Sequence, residues 1–123
     1  MISITDDLIE MARQVMEFGG RVYRTYPQRH MLDMPYCVVS QVGRSQDLTE
    51  NGQEVLVTVT YNVVVYAPTP DQAEDLADEV INIYNTKRIQ NIGYNDSYLV
   101  DNNLWSATAV FQAKVDRRGN VYW

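Results

Sequence analysis

Few side chains of this sequence could perform chemistry, and the first two are a single histidine and a single cysteine. His30 and Cys37 are the only residues of their types among 123. This count excludes two-histidine metal sites, thiolate metal clusters and an internal disulfide, and it leaves Cys37 with His30 as the one nucleophile–base pair. Cys37 lies in an apolar segment beside Val38 and Val39, whereas reactive cysteines have electropositive, partly exposed surroundings. We therefore expect a buried structural thiol.

Five carboxylates are the second group of side chains that could act together. They lie on the outer face of a predicted helix, at Asp71, Glu74, Asp75, Asp78 and Glu79. Their spacing is that of any solvent-facing helix surface, so the pattern does not indicate a metal site. Gly19 and Gly20 end a helix instead of preceding one, which excludes a phosphate-binding loop there. We predict no catalytic residue, no cofactor and no metal ligand, and hence no enzyme.

Length and composition indicate one folded unit without a nucleic-acid or membrane surface. A chain of 123 residues with 46% hydrophobic residues supports a single domain, residues 1–123, with its own core. The formal net charge of −6 argues against a dedicated nucleic-acid binder. The start of the chain lacks the pattern of a signal peptide, and no stretch approaches the length of an apolar span, so we expect neither export nor membrane insertion. One cysteine fits a reducing interior and thus the cytoplasm.

The elements that must position these side chains begin with two amphipathic helices. Apolar residues recur at spacings of three and four over residues 6–18, with Thr5 as the predicted N-cap. The second helix begins after its N-cap Thr69, with Pro70 in the first helical position, and ends near residues 85–87.

Alternation of apolar and polar residues predicts a mainly antiparallel sheet. A short extended segment at residues 21–26 precedes a long hairpin at residues 36–67, whose turn is the dipeptide Asn51-Gly52. One short strand within residues 88–103 and a clear last strand at residues 105–115 follow the second helix. The predicted fold class is therefore α+β: a mainly antiparallel β-sheet with a long β-hairpin and two α-helices packed on one face.

The long hairpin leads to a prediction of self-association. Its turn places Val42 opposite Tyr61 and Arg44 opposite Val59. A strand over residues 54–67 would span about 46 Å, which is longer than the two helices can cover. We therefore predict an arm, about residues 44–59, that lies on a neighbouring subunit. The predicted contact residues are Arg44, Leu48, Val55, Val57 and Val59. The alternative is a bulge at Gly43 with a disordered tip beyond it.

Three local segments resemble those of one known family. They are Met34-Pro35-Tyr36 at the entry to a strand, Val-Val-Val-Tyr-Ala-Pro-Thr-Pro at residues 63–70, and Asp-Gln-Ala-Glu-Asp-Leu-Ala at residues 71–77. Together with the order of the elements, they resemble the tail terminator or tail-completion proteins of long-tailed bacteriophages. The resemblance covers nearly the whole chain.

This resemblance implies a structural virion protein that forms a hexameric ring. Such a ring caps the head-proximal end of the tail tube, terminates tail polymerisation and provides the docking surface for the head. The implied partners are further copies of the chain, the major tail tube protein and a neck or head-completion protein, and DNA passes through without specific binding. The ring assembles in the host cytoplasm and becomes part of the virion. The five carboxylates of the second helix would face the lumen and repel phosphates.

Three alternatives stay open. The first is a related neck or head-completion connector ring. The second is a small cytoplasmic enzyme or binding domain, with an apolar pocket between the sheet and tyrosine or tryptophan side chains. The third is an adaptor or immunity-type protein whose acidic helix mimics nucleic acid and binds a basic partner.

Overall fold

Two helices and five strands make up the described part of the chain. The computed structural model describes residues 4–24, 35–50, 53–101, 104–116 and 120–121. The elements in chain order are α1 (Thr5–Ala12), a 3₁₀ turn (Met16–Phe18), β1 (Val22–Tyr23), β2 (Tyr36–Glu50), β3 (Gln53–Ala67), α2 (Pro70–Asn85), β4 (Gln90–Asp101) and β5 (Leu104–Asp116). The predicted α+β fold class is confirmed.

The strands form one sheet in the order β1-β2-β3-β5-β4. β1 is parallel to β2 and pairs with it only through Val22 and Tyr23. Every other neighbouring pair is antiparallel. β3 lies at the centre, because the hairpin places β2 on one side of it and β5 pairs with it on the other.

Both helices cover the same face of the sheet, as predicted. Alternate residues of β3 point to that face and are buried: Val57, Val59, Tyr61, Val63 and Val65. They form one cluster with the apolar stripes of α1 and α2 and with alternate residues of β5. Burying one such side chain contributes about 1.5–3 kcal/mol, so this layer is the main source of stability.

α2 begins as predicted. The Oγ1 atom of Thr69 accepts a hydrogen bond of 3.3 Å from the backbone N–H of Gln72, and Pro70 follows the cap. Proline suits this position because the N–H that it lacks would have no partner in the helix. The helix ends at Asn85, and Arg88 has a φ of 63° where the chain turns into β4.

α1 is shorter than predicted. It ends at Ala12 instead of Phe18, because Val15 has an extended backbone (φ −74°, ψ 110°) and a 3₁₀ turn follows. Val15 and Phe18 are both buried after this break. Gly19 ends the turn with a left-handed φ of 55°, a conformation that glycine adopts at little cost.

The hairpin has the predicted register near its turn, except at Leu48, and a shifted register beyond a bulge. Arg44 pairs with Val59, as the Asn-Gly turn predicts. Between Gln41 and Gly43 the register shifts, so that Tyr61 faces Gln41 instead of Val42. The bulge predicted as the alternative is therefore present, and the tip residues 51–52 lie outside the described part of the chain.

The bulge decides which residues of β2 enter the core. A shift of one residue moves every later side chain to the opposite face of a strand. Cys37 and Val39 therefore face the helices and are fully buried, whereas the predicted register would place Val38 on that face.

β4 is longer than the short strand predicted for this part of the chain. It pairs with β5 from Gln90 opposite Gln112 to Asp101 opposite Leu104. Its sequence is polar because an edge strand has one side exposed to solvent and needs few apolar residues.

Candidate assembly surfaces

Most of the predicted arm lies inside the sheet. β5 pairs with β3 without interruption from Ala67 back to Leu56. Of the described hairpin residues, only 49–50 and 53–55 extend beyond the last β5 residue paired with β3, Asp116. Three residues of a strand span about 10 Å. The hairpin therefore has a short overhang and not an arm of residues 44–59.

Val57 and Val59 are enclosed by their own chain, so their prediction as subunit contacts is wrong. Both side chains are 0% exposed. They belong to the same buried cluster as Ile4, which precedes α1, and Val121 packs against that cluster from the far end of the chain. The prediction counted only the two helices as cover and left out these flanking segments. A neighbouring subunit cannot contact either valine.

Buried polar contacts hold the start of α1 over β3. The hydroxyl oxygen of Tyr61 lies 3.0 Å from Oγ1 of Thr5 and accepts a hydrogen bond of 3.3 Å from the N–H of Ile4. The prediction that Thr5 is the N-cap is wrong. Thr5 is the first residue of α1, and Ile4 occupies the N-cap position without a side-chain cap hydrogen bond. Buried polar groups need partners, and these contacts provide them at the centre of the sheet.

The other predicted contact residues have mixed outcomes. Arg44 is half-buried on β2 opposite Val59. The side chains of Leu48 and Val55 lie outside the described part of the chain, so these two stay predictions.

The sheet has one edge along β2. β1 covers only its start, where the N–H of Cys37 donates a hydrogen bond of 3.0 Å to the carbonyl oxygen of Arg21. Backbone groups of alternate residues point to the same edge of a strand, so those of Val39 and Gln41 point to this edge too. The N–H of Val39 takes part in the parallel pairing of Tyr23 with Val38. Among the described residues, no strand pairs with β2 on this side beyond Val38.

The opposite edge is β4. Each of the two edge strands has three register shifts, and one shift in each lies at the same level of the sheet. The register of β2 shifts after Gln41, and that of β4 shifts after Asn91. Gln41 pairs with Tyr61, Tyr61 with Phe111, and Phe111 with Asn91. One row of residues across the whole sheet thus connects the two bulges.

The bulge in β4 is stabilised by a side chain of its own strand. Nδ2 of Asn91 donates hydrogen bonds to the carbonyl oxygens of Gly93 (2.8 Å) and Val110 (3.1 Å). The side-chain amide thereby bridges β4 to β5 where the regular ladder is interrupted. Specific hydrogen bonds therefore hold this bulge in place, as expected for a defined β-bulge.

Exposed apolar side chains lie at these bulges. Val42 and Ile92, the residues that the bulges insert, are 54% and 51% exposed. Tyr94, further along β4, is 37% exposed. Met16, in the 3₁₀ turn, is 87% exposed and lines a surface cleft with Glu79 and Ile83 of α2, so it provides a point of comparison outside β2 and β4.

α2 presents its carboxylates to solvent, as predicted. Asp71, Asp75, Asp78 and Glu79 are exposed, and Glu74 is half-buried. The pKa of Glu79 is raised by desolvation and, after that, by the negative charges of Glu17 and Asp75. Glu17 belongs to the 3₁₀ turn, so the negative surface continues from α2 onto that turn. Among the described residues, no three or more histidine, cysteine, aspartate or glutamate side chains are placed so that they could hold a metal ion.

Cys37 is buried, as predicted, and the shifted register places it on β2 opposite Val65. Burial raises the pKa of its thiol far above the ordinary value. A thiol that stays protonated is a poor nucleophile. His30 lies outside the described residues, so its distance from Cys37 is not tested.

A cleft of about 370 Å³ lies beside α1. Its lining includes Leu8, Met11, Ile89 and Val121, together with Lys87. This position differs from the pocket between the sheet and aromatic side chains that the enzyme alternative predicts.

None of the helices in the described ranges combines the length and apolar character needed to cross a membrane.

The two sheet edges are the surfaces best suited to assembly. An edge strand presents a row of backbone donors and acceptors to any further strand. The edges differ from each other and lie on opposite sides of the sheet, so pairing one with the other is a head-to-tail contact.

No protein-family model matches the chain, and comparison with curated proteins finds no match.

Proposed function

We propose that this protein is a structural subunit that assembles head to tail into a ring. The ring caps the tail tube of a long-tailed bacteriophage, terminates its polymerisation and provides the surface on which the head docks. The resemblance of its local segments to tail-terminator proteins supports this assignment. Its partners are then further copies of itself, the tail tube protein and a neck or head-completion protein, and its place is the head-proximal end of the virion tail.

The observation that carries the proposal is the pair of unlike edges on one sheet. A head-to-tail contact generates a closed ring when the rotation between neighbours divides a full turn, and a filament when it does not. A contact between identical edges would stop at a dimer. The chain therefore has what a cyclic assembly needs: two different, oppositely placed surfaces.

The charge of the protein supports a channel through which DNA passes. The net charge is −6, and the exposed carboxylates of α2 concentrate negative charge on one helix surface. Phosphate backbones are repelled by such a surface. We propose that these carboxylates line the lumen, where they keep the DNA from binding as it passes.

Tube growth in the presence of the protein tests this function. The purified protein is added to polymerising tail tube protein of the same phage, and negative-stain images are recorded over time. We expect a ring at one end of each tube and no further elongation from that end. Met16→Asp is the control variant, because Met16 is exposed but lies in the 3₁₀ turn and not on β2 or β4. It should stop elongation as the wild type does.

Two outcomes would contradict the proposal. Tubes that elongate unchanged, with no ring either free or attached, would exclude a terminator. Rings that bind the neck protein but leave the tube ends bare would indicate the connector ring instead.

A further inference from the structure

A second surface cleft, of about 360 Å³, lies between the 3₁₀ turn and α2. Its lining includes Met16 and Glu17 on one side and Glu79, Asn82 and Ile83 on the other. The three α2 residues share one face of the helix, because positions three and four apart are neighbours on a helix surface. The side chain of Met16 is 87% exposed, so the cleft opens directly to solvent at this residue.

Part of the lining is apolar. Val15, Met16 and Ile83 provide it, and they range from buried through half-buried to exposed. Methionine is flexible and polarizable, and exposed methionines adapt to the shape of a bound partner. This part of the cleft therefore suits an aliphatic chain.

The cleft also carries two carboxylates, Glu17 and Glu79, and neither forms an ion pair within the described ranges. Desolvation raises the pKa of Glu79, and the negative charges of Glu17 and Asp75 raise it further. The guanidinium of Arg21 donates hydrogen bonds to the backbone carbonyl oxygens of Glu17 (3.3 Å) and Pro35 (3.0 Å), and not to these carboxylates. A cation between the two carboxylates would relieve their repulsion.

An arginine side chain combines the properties that this cleft selects. Its aliphatic stem packs on apolar surface while its charged head stays at a polar rim. Its planar guanidinium has five N–H donors and binds carboxylates through pairs of hydrogen bonds. The exposed amides of Gln14 and Asn82, which also line the cleft, offer further acceptor oxygens. A lysine has only three donors and no planar group, so it would satisfy fewer of these acceptors.

We infer that this cleft binds an arginine side chain of a partner protein, with the stem against Met16 and Ile83 and the guanidinium between Glu17 and Glu79. The occupant is a protein other than this chain. The inference goes beyond the proposed function. It assigns Glu79 to this contact instead of to the lumen, and it leaves the other four carboxylates of α2 where the proposed function places them.

The cleft is separate from the sheet edges. None of its described lining residues belongs to β2 or β4. Subunit contacts through those edges therefore do not use it. If Met16→Asp still terminates tubes, as we expect, the partner is not the tail tube protein.

Nuclear magnetic resonance of the Met16 methyl group tests the inference. The full-length protein is isotope-labelled in its methionine methyl groups, and Met16→Leu identifies the resonance. The probes are the peptide acetyl-Leu-Arg-Leu-amide and the same peptide with citrulline, a neutral isostere, in place of arginine. We expect the arginine peptide to shift the Met16 resonance along a saturating curve. The citrulline peptide should leave it unchanged.

Charge-removing variants test the role of the two carboxylates. Glu17→Gln with Glu79→Gln should weaken binding of the arginine peptide at least tenfold. The matched control is Asp71→Asn with Asp78→Asn, which removes the same number of charges from exposed positions outside the cleft and should bind as the wild type does. An equal loss in this control would show an effect of net charge alone and overturn the inference.

A second measurement follows the carboxyl group of Glu79 in the wild type. A bound guanidinium favours the charged form of a neighbouring carboxyl group. The pKa of Glu79 should therefore fall when the arginine peptide is present and stay unchanged with the citrulline peptide. A pKa that does not move with bound arginine peptide would place the guanidinium elsewhere and contradict the proposed contact.

The remaining outcomes identify other occupants. A Met16 resonance that ignores the arginine peptide, or responds equally to the citrulline peptide, would overturn the inference. An equal response to Mg²⁺ alone would indicate a site for small cations instead. A change with rising protein concentration and no peptide would show that a second copy fills the cleft. Each of these results leaves the ring proposal standing, whereas a protein that binds the arginine peptide but never assembles would overturn the ring alone.

Discussion

The hydroxyl group of Tyr84 on α2 donates a hydrogen bond of 2.9 Å to the backbone carbonyl oxygen of Leu8 on α1. The two residues are 76 positions apart in the chain, and both are fully buried. The ring of Tyr84 also contacts Phe111 of β5 edge-on, with 4.7 Å between the ring centroids. One side chain thus connects both helices to the sheet. It helps to fix the layer that covers the valines of β3.

Removing this hydroxyl group should destabilise the protein while leaving its fold intact. Tyr84→Phe keeps the ring and its contact with Phe111 but loses the hydrogen bond to Leu8. We expect the free energy of unfolding to fall by about 1 kcal/mol, the usual net contribution of such a bond. Urea denaturation at neutral pH measures the change. Tyr23→Phe is the control, because Tyr23 packs on the helix-free side of the sheet. An equal loss of free energy of unfolding in Tyr23→Phe would contradict the stabilising role of the bond between Tyr84 and Leu8.

The same tyrosine should make the protein sensitive to alkali. Burial raises the pKa of Tyr84 well above its ordinary value, and the nearby Cys37 and Tyr61 raise it further. Above about pH 10 the unfolded chain ionises this phenol while the folded chain does not. The unfolded state then binds fewer protons, so the free energy of unfolding falls as the pH rises. The stabilisation that depends on the protonated Tyr84 phenol is fully present below about pH 10 and is lost progressively as the pH rises above it.

Denaturation at a series of pH values checks this sign. We expect the stability of the wild type to fall more steeply than that of Tyr84→Phe between about pH 9 and pH 11. Cys37 acts in the same direction, since burial raises its pKa too, but it is present in both proteins and cancels in the comparison. Equal slopes for the two proteins would show that Tyr84 ionises as easily in the folded state as in the unfolded one.

A charge at Val57 should unfold the protein instead of blocking assembly. The side chain is fully buried in the helix-facing layer, and an unpaired carboxylate there costs about 4 kcal/mol or more. Circular dichroism of Val57→Asp should therefore show loss of native structure at room temperature. The control is Val42→Asp, which places the same charge at an exposed position and should keep a melting temperature close to that of the wild type. A folded, soluble Val57→Asp would mean that Val57 is accessible in the monomer.

The local signals of this sequence predicted the elements well, because each depends on neighbouring residues. Thr69 and Pro70 mark the start of α2, and the alternating residues of β5 mark the last strand. The Asn-Gly turn predicts the pairing of Arg44 with Val59. Beyond Gly43 the register depended on whether the strand has a bulge there, and the pattern of apolar residues did not decide between the two predicted alternatives. That one inserted residue decides that Cys37 faces the core.

The candidate site was harder to predict than the fold. Exposure of Val57 and Val59 depends on everything that packs into their core cluster. Ile4 belongs to that cluster and Val121 packs against it, and the two lie far apart in the chain. Periodicity within β3 contains no information about such distant segments. The bulge in β2 was predicted only as an alternative, at Gly43, and the bulge in β4 was missed. Only the pairing of all strands shows that Val42 and Ile92 lie at the same level. The sequence signal available for β4 was a polar segment that contains one isoleucine, Ile92, which is exposed in the structure.

Sedimentation velocity of the wild type and of Val42→Asp, each alone and with tail tube protein, tests the central claim most directly. The claim is that the sheet edges join copies of this chain into a ring. We expect the wild type and Met16→Asp to sediment as one closed oligomer under the same condition, and a folded Val42→Asp to sediment as a monomer throughout. A wild type that stays monomeric in both conditions, or a Val42→Asp that forms the same oligomer, would contradict the claim.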